Sequence, residues 1–141
     1  MMQIFKKLLF SFFILIGVGL FSACTELLND SDTAPDGSAP AIQLQAPADN
    51  SLFNRGKIIP IKSVISDKDR IKEMEVQVLK ISQGVASPVI WGYKKFPKTN
   101  PVIVDTTLNT TGLEPGHYLL RFNLMDNRTN TQVKEAHFLI R

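Results

Sequence analysis

At 141 residues the chain has room for one domain and some accessory segments. Of its 16 lysines and arginines, Lys6 and Lys7 stand at the start, leaving 14 against 13 acids; that near balance carries no reading of nucleic-acid binding, and no nucleic-acid partner is expected. A single cysteine, Cys24, excludes a disulfide within the chain, so the core must hold unaided.

Lys6 and Lys7 precede an apolar run, residues 8–21, which small Ser22 and Ala23 follow. That order is the n-region, h-region and cleavage site of a secretory signal peptide, expected over residues 1–23 and removed by cleavage. The run is short for a transmembrane helix, which takes about 20 apolar residues. Leu20-Phe21-Ser22-Ala23-Cys24 resembles the lipobox of bacterial lipoprotein precursors. The resemblance implies that Cys24 becomes the lipidated N-terminus and anchors the chain in a membrane. It also implies a Gram-negative envelope, with the protein an outer-membrane lipoprotein on the periplasmic or surface side. Residues 24–39 are then expected to form a flexible, disordered, acidic tether, because Glu26, Asp30, Asp32 and Asp36 occur there with no Lys or Arg.

From Pro40 short alternating runs replace this texture, and 40–141 reads as one all-β domain. Ile42, Leu44 and Ala46 mark a first strand, ended by the turn formers of Pro47-Ala48-Asp49-Asn50-Ser51. Ile59, Ile61, Ser63 and Ile65 line one face of a second. Pro60 points the other way and lacks an N–H, which places it near a sheet edge or bulge. Ile71, Met74, Val76 and Val78 follow the loop 66–70, with a slip of one residue after Ile71 that a bulge would produce. Residues 82–88 are expected to turn the chain into a run from Val89 to Phe96, which 97–101 breaks. Val102, Val104, Thr106 and Leu108 form a further strand.

Pro115-Gly116 is a turn signal, and Tyr118, Leu120, Phe122 and Leu124 then alternate with polar or outward positions. A tyrosine just after such a turn fits the tyrosine corner of immunoglobulin-like sandwiches, its hydroxyl bonding the upstream backbone. After the turn 127–131 the last strand carries Ala136, Phe138 and Ile140 inward. The total is an Ig-like antiparallel β-sandwich of about seven strands. Pro47-Ala48-Asp49-Asn50-Ser51-Leu52-Phe53, Ser66-Asp67 followed by Ile71, and Pro115-Gly116-His117-Tyr118 leading to Asp126 carry a family resemblance. With these motifs, 40–141 resembles the Ig-like domains of bacterial surface lipoproteins, including a domain family of unknown function. The resemblance implies a fold and not an activity.

Catalysis finds no motif: there is no phosphate loop, nucleophile elbow or HExxH. His117 and His137 stand opposite Tyr118 and Phe138 in the alternation and face outward as surface residues. Two clusters suggest binding. Asp67 and Asp69, with Asp126, Asn127 and Asn130, fall in loops that meet at one end of an Ig-like sandwich. Their oxygens suit a Ca²⁺ site, which takes six to eight such ligands, and they equally suit turns capped through their own backbone. Trp91, Tyr93 and Phe96, among Lys94, Lys95 and Lys98, suit an aromatic platform for a glycan or acidic polymer, or a strand that packs one face on the core while the lysines snorkel. The expected function is a non-catalytic, lipid-anchored envelope protein that binds or scaffolds a protein partner, or alternatively a carbohydrate-binding accessory lipoprotein.

Overall fold

The computed structural model describes residues 34–141; the signal-like run, Cys24 and most of the expected tether lie outside them. Eight strands form two sheets: β1 (Ala41–Ala46), β2 (Ser51–Phe53), β3 (Ile58–Ser66), β4 (Ile71–Ser82), β5 (Val85–Lys95), β6 (Val102–Asn109), β7 (Gly116–Asp126) and β8 (Thr131–Ile140). One sheet has the order β1-β3-β6 and the other β2-β8-β7-β4-β5. The architecture is an Ig-like β-sandwich. It departs from the expected antiparallel, seven-stranded form in one element: β2, three residues long, pairs parallel with β8.

Alternation dictates the core. Ile59, Ile61 and Ile65 of β3, with Val104 and Leu108 of β6, face Met74, Val76 and Val78 of β4 and Tyr118, Leu120, Phe122 and Leu124 of β7. Phe138 and Ile140 of β8 complete that layer, and Tyr118 stacks on Phe138 with ring centroids 5.6 Å apart. The Tyr118 hydroxyl donates to the Glu114 carbonyl at 2.5 Å, closing the corner around Pro115-Gly116. Lys80 forms an ion pair with the Glu114 carboxylate beside it.

Pro60 costs no ladder bond. β1 reaches only to the Ala46↔Lys62 pair, so β3 has no neighbour on that side at Pro60. The slip after Ile71 is a break in register between β4 and β7 at Ile71 and Glu73. The expected turn 82–88 is shorter than the sequence suggests: Gln83 and Gly84, both at positive φ (51° and 78°), make a two-residue hairpin, and Val85 to Pro88 already belong to β5. β5 absorbs the extra residues in two register shifts against β4, around Leu79.

Candidate functional site

The loop 67–70 follows β3 and the loop 127–130 follows β7. The Ile71↔Asp126 pair sets them side by side, and Asn127 N–H donates to Arg70 O at 3.2 Å. Carboxylate oxygens of Asp67, Asp69 and Asp126 come within 4.8 Å of one another. The Ig-like topology therefore brings together the three carboxylates among the five residues expected to ligate a cation.

The other two are used differently. Asn127 is exposed. Asn130 donates through Nδ2 to Asp126 Oδ2 (2.9 Å) and Asp36 Oδ1 (3.0 Å), and its Oδ1 accepts from Gly37 N–H (3.2 Å). Asp126, wholly buried, also accepts Asn130 N–H at 2.8 Å. Asp67 accepts Asp69 N–H at 2.7 Å, and Asp69 Oδ1 accepts Arg128 Nε–H at 3.2 Å. Asp69 Oδ2 is the one oxygen of this network that is buried without a hydrogen bond; Lys68 Nζ stands 3.9 Å from it. Thr129, a β-branched residue at φ 64°, and Arg70 at φ 66° sit in the left-handed region, conformations that cost about 1 to 2 kcal/mol each. The surrounding hydrogen bonds hold them there. A Ca²⁺ ion would find three carboxylates, against the six to eight oxygens it prefers, and Lys68 and Arg128 already beside them.

Asp36 is the unexpected member of this cluster. It belongs to the stretch expected to be a free tether, yet Lys68 Nζ lies 2.5 Å from its carboxylate. That hydrogen bond, then the Ser38 N–H and the Asn130 amide, lowers its pKa to about 2. Pairing across more than ninety positions leaves no local mark in a sequence.

A second site lies where the sheets fail to match. Trp91 and Tyr93 of β5 oppose Val78 and Val76 of β4, so both point to the inner face. The facing sheet ends at β6, and no strand covers β5. Trp91 and Tyr93 are consequently half-buried, packed on the core on one side only. Gly92 between them permits close pairing, since a Cβ there would meet the Val76 carbonyl oxygen at 2.6 Å. A cleft of about 530 Å³ opens at this margin. Buried Met74, Val102 and Val104 form its floor with Tyr93, and Lys95, Phe96 and Asp105 form its rim.

The three aromatics expected to form a platform do not lie in one plane. Trp91 and Tyr93 meet edge to face, at 90° with centroids 5.5 Å apart. Lys95 Nζ stands 5.0 Å from the Tyr93 ring centroid, over its ring. Phe96, 66% exposed, projects beyond the end of β5 with Lys94 Nζ 5.9 Å from its centroid. Sequence reasoning missed the β6 half of the cleft, Val102, Val104 and Asp105. The signal available was the stretch 97–101, bounded by Pro97 and Pro101, which leaves no strand between β5 and β6.

The histidines stay on the surface. Asp49 accepts His137 N–H at 2.7 Å and lies 3.4 Å from its Nδ1, a contact that fastens the turn before β2 to β8. Holding that N–H lowers the Asp49 pKa below its ordinary value.

No family model matches the chain, and no curated protein does. Among solved structures, the chain is similar to the fibronectin(III)-like modules of Clostridium thermocellum CbhA, at 15% identity and a TM-score of 0.48 over 74% of this chain. It spans about half of that chain, 47%. Murine CRIg is similar at 12% identity and a TM-score of 0.46, over 72% of this chain and 96% of that one. A superoxide reductase (neelaredoxin) from Ignicoccus hospitalis aligns at 11% identity and a TM-score of 0.45, over 73% of this chain and 80% of that one. These likenesses concern the sandwich alone.

Proposed function

We propose that this chain is a non-catalytic binding or scaffolding module, held by lipid on Cys24 at a Gram-negative envelope on the periplasmic or surface side of the outer membrane. The observation that carries the binding role is the open margin between β5 and β6, where an apolar-floored cleft lies beside uncovered aromatic rings. Such concave, partly apolar sites are where proteins take ligands. The lipobox resemblance around Cys24 supports the location. Crosslinking in intact cells from residues around the cleft, with and without Cys24→Ser, tests both halves. Capture of one defined partner through the cleft, lost when the chain is released from the membrane, is the expected result. An unchanged membrane fraction for Cys24→Ser would remove the anchor.

A carbohydrate-binding accessory role is the second reading, and the exposed Phe96 ring favours it. Retention of the protein on a polysaccharide column, abolished by Phe96→Ala, would establish it. For Ca²⁺, the buried Asp69 Oδ2, which accepts no hydrogen bond, is the favouring observation. Calorimetric titration decides that point: no heat and no change in melting temperature at millimolar Ca²⁺ would end it.

A further inference from the structure

The margin is bordered by the free edge of β6, and that edge is unusually undefended. Native sandwiches blunt their edges with short strands, prolines, bulges and lysines. β2 is three residues long and β1 is followed at once by Pro47. β5 contains Pro88, Lys94 and Lys95 and is broken by register shifts. β6 carries fewer of these devices: Pro101 precedes it, but within the strand Val102, Ile103, Val104, Thr106 and Thr107 are β-branched, Asp105 is its single charge, and its register with β3 is unbroken.

The direction of its main-chain groups follows from the ladder. Thr110 N–H donates to Lys57 O just beyond the strand, and hydrogen-bonded pairs alternate along an antiparallel ladder. The N–H and C=O groups of Ile103, Asp105 and Thr107 therefore point away from β3, toward the margin. Ile103 and Asp105 indeed border the cleft. An added strand there would lie over Tyr93, covering the inner face of β5 that the three-stranded sheet leaves bare.

The charge of the margin selects the kind of strand. Asp105 is already matched by Lys62 at 3.2 Å, and Lys94 by Glu73 at 2.6 Å. Lys95 on the rim, and Lys98 in the stretch that follows β5, have no carboxylate partner among the described residues. The uncompensated charge is positive. A glycan would gain little from a row of unpaired peptide groups, whereas an extended peptide pairs with all of them.

We propose that the β5–β6 margin accepts an extended, acidic peptide segment of a partner protein, which adds as a fourth strand to β6, lays apolar side chains on Tyr93, Val102 and Val104, and sets its carboxylates against Lys95 and Lys98. This rests on the binding-module reading above and names its partner class.

The full chain in detergent is screened against a displayed library of random short peptides, in parallel with a panel of neutral and acidic oligosaccharides. Enrichment of peptides alternating Asp or Glu with β-branched or aromatic residues is expected. Hydrogen exchange at the amides of Ile103, Asp105 and Thr107 should slow when such a peptide binds. Lys95→Glu with Lys98→Glu should weaken it about tenfold or more, the scale of two charge contacts. Ile103→Pro, which removes an edge donor at a residue 73% exposed, should abolish strand addition; if that variant does not fold, the lysine pair decides. Enriched peptides that are basic or uncharged, or edge amides that exchange unchanged, overturn the proposal. Oligosaccharide binding with unchanged edge amides overturns it while leaving the binding module standing. No ligand in either arm, together with no partner captured in cells, removes both.

Discussion

Tyr118 and Tyr93 stand on the same face of the same sheet and meet different surroundings. Tyr118 is 1% exposed, stacked on Phe138, with its hydroxyl satisfied by the Glu114 carbonyl. Tyr93 lies two strands away on β5, half-exposed, held edge-on by Trp91 and topped by the Lys95 ammonium. Burial raises the pKa of both phenols. What separates them is the width of the facing sheet: three strands roof β7 and β4, and nothing roofs β5. The residue type is the same, and coverage by the second layer decides whether it serves stability or stays available to a ligand.

The largest way to sharpen that contrast is Tyr118→Ala. It empties a fully enclosed ring site and should cost about 3 to 5 kcal/mol in urea unfolding, well above the loss for Tyr93→Ala measured alongside it. Next comes Asp126→Ala at the loop end, where polar groups are closed as thoroughly as Tyr118 closes the core. It strands the Asn130 N–H and one of the two Nδ2 hydrogens, the other still held by Asp36, in a buried site and should cost about 2 to 3 kcal/mol. A loss below about 0.5 kcal/mol would mean that the loops stand without this network. Smaller again is the pair of Phe substitutions. Tyr118→Phe deletes one buried hydrogen bond and should cost about 1 to 2 kcal/mol, whereas Tyr93→Phe should stay within about 0.5 kcal/mol. Equal losses would abolish the distinction between the two tyrosines.

The smallest effect concerns acid. The Asp36 pKa falls from 3.8 to about 2 in the folded chain, chiefly through the Lys68 hydrogen bond. A carboxylate with a lowered folded pKa stabilises its contact fully above its ordinary pKa, and the contribution fades as pH falls through the folded value. The Ser38 amide, which donates to Asp36 Oδ1, should therefore keep its resonance unchanged from neutral pH to about 4 and shift with a midpoint near 2. A midpoint at the ordinary carboxylate value would show that Asp36 is not held.

Much of the sandwich was legible because one buried face imposes its period on the residues. Tyr118 to Leu124 and Ile59 to Ile65 alternate for that reason, and the slip after Ile71 is the trace of a real bulge. The adjacency of Asp67 and Asp126 followed from topology alone. β2 escaped because Ser51–Phe53 is too short to show a period. The hairpin at Gln83-Gly84 escaped because glutamine gives no signal for positive φ, while the turn formers Ser87 and Pro88 lie in the strand. Neither Asp36 on the loops nor the cleft at β5 could be read. The first is a contact between distant positions, and the second depends on how far one sheet extends past the other.

The parallel pairing of β2 with β8 has a mechanical meaning. β1 starts beside Ser66 at the loop end, and β8 finishes beside Gly116 at the other. A pull between those two points therefore runs along the strands. The Ser51↔Phe138, Leu52↔Leu139 and Phe53↔Ile140 pairs, like the β1–β3 ladder, are then loaded sideways and together. Their hydrogen bonds share the force instead of unzipping one after another.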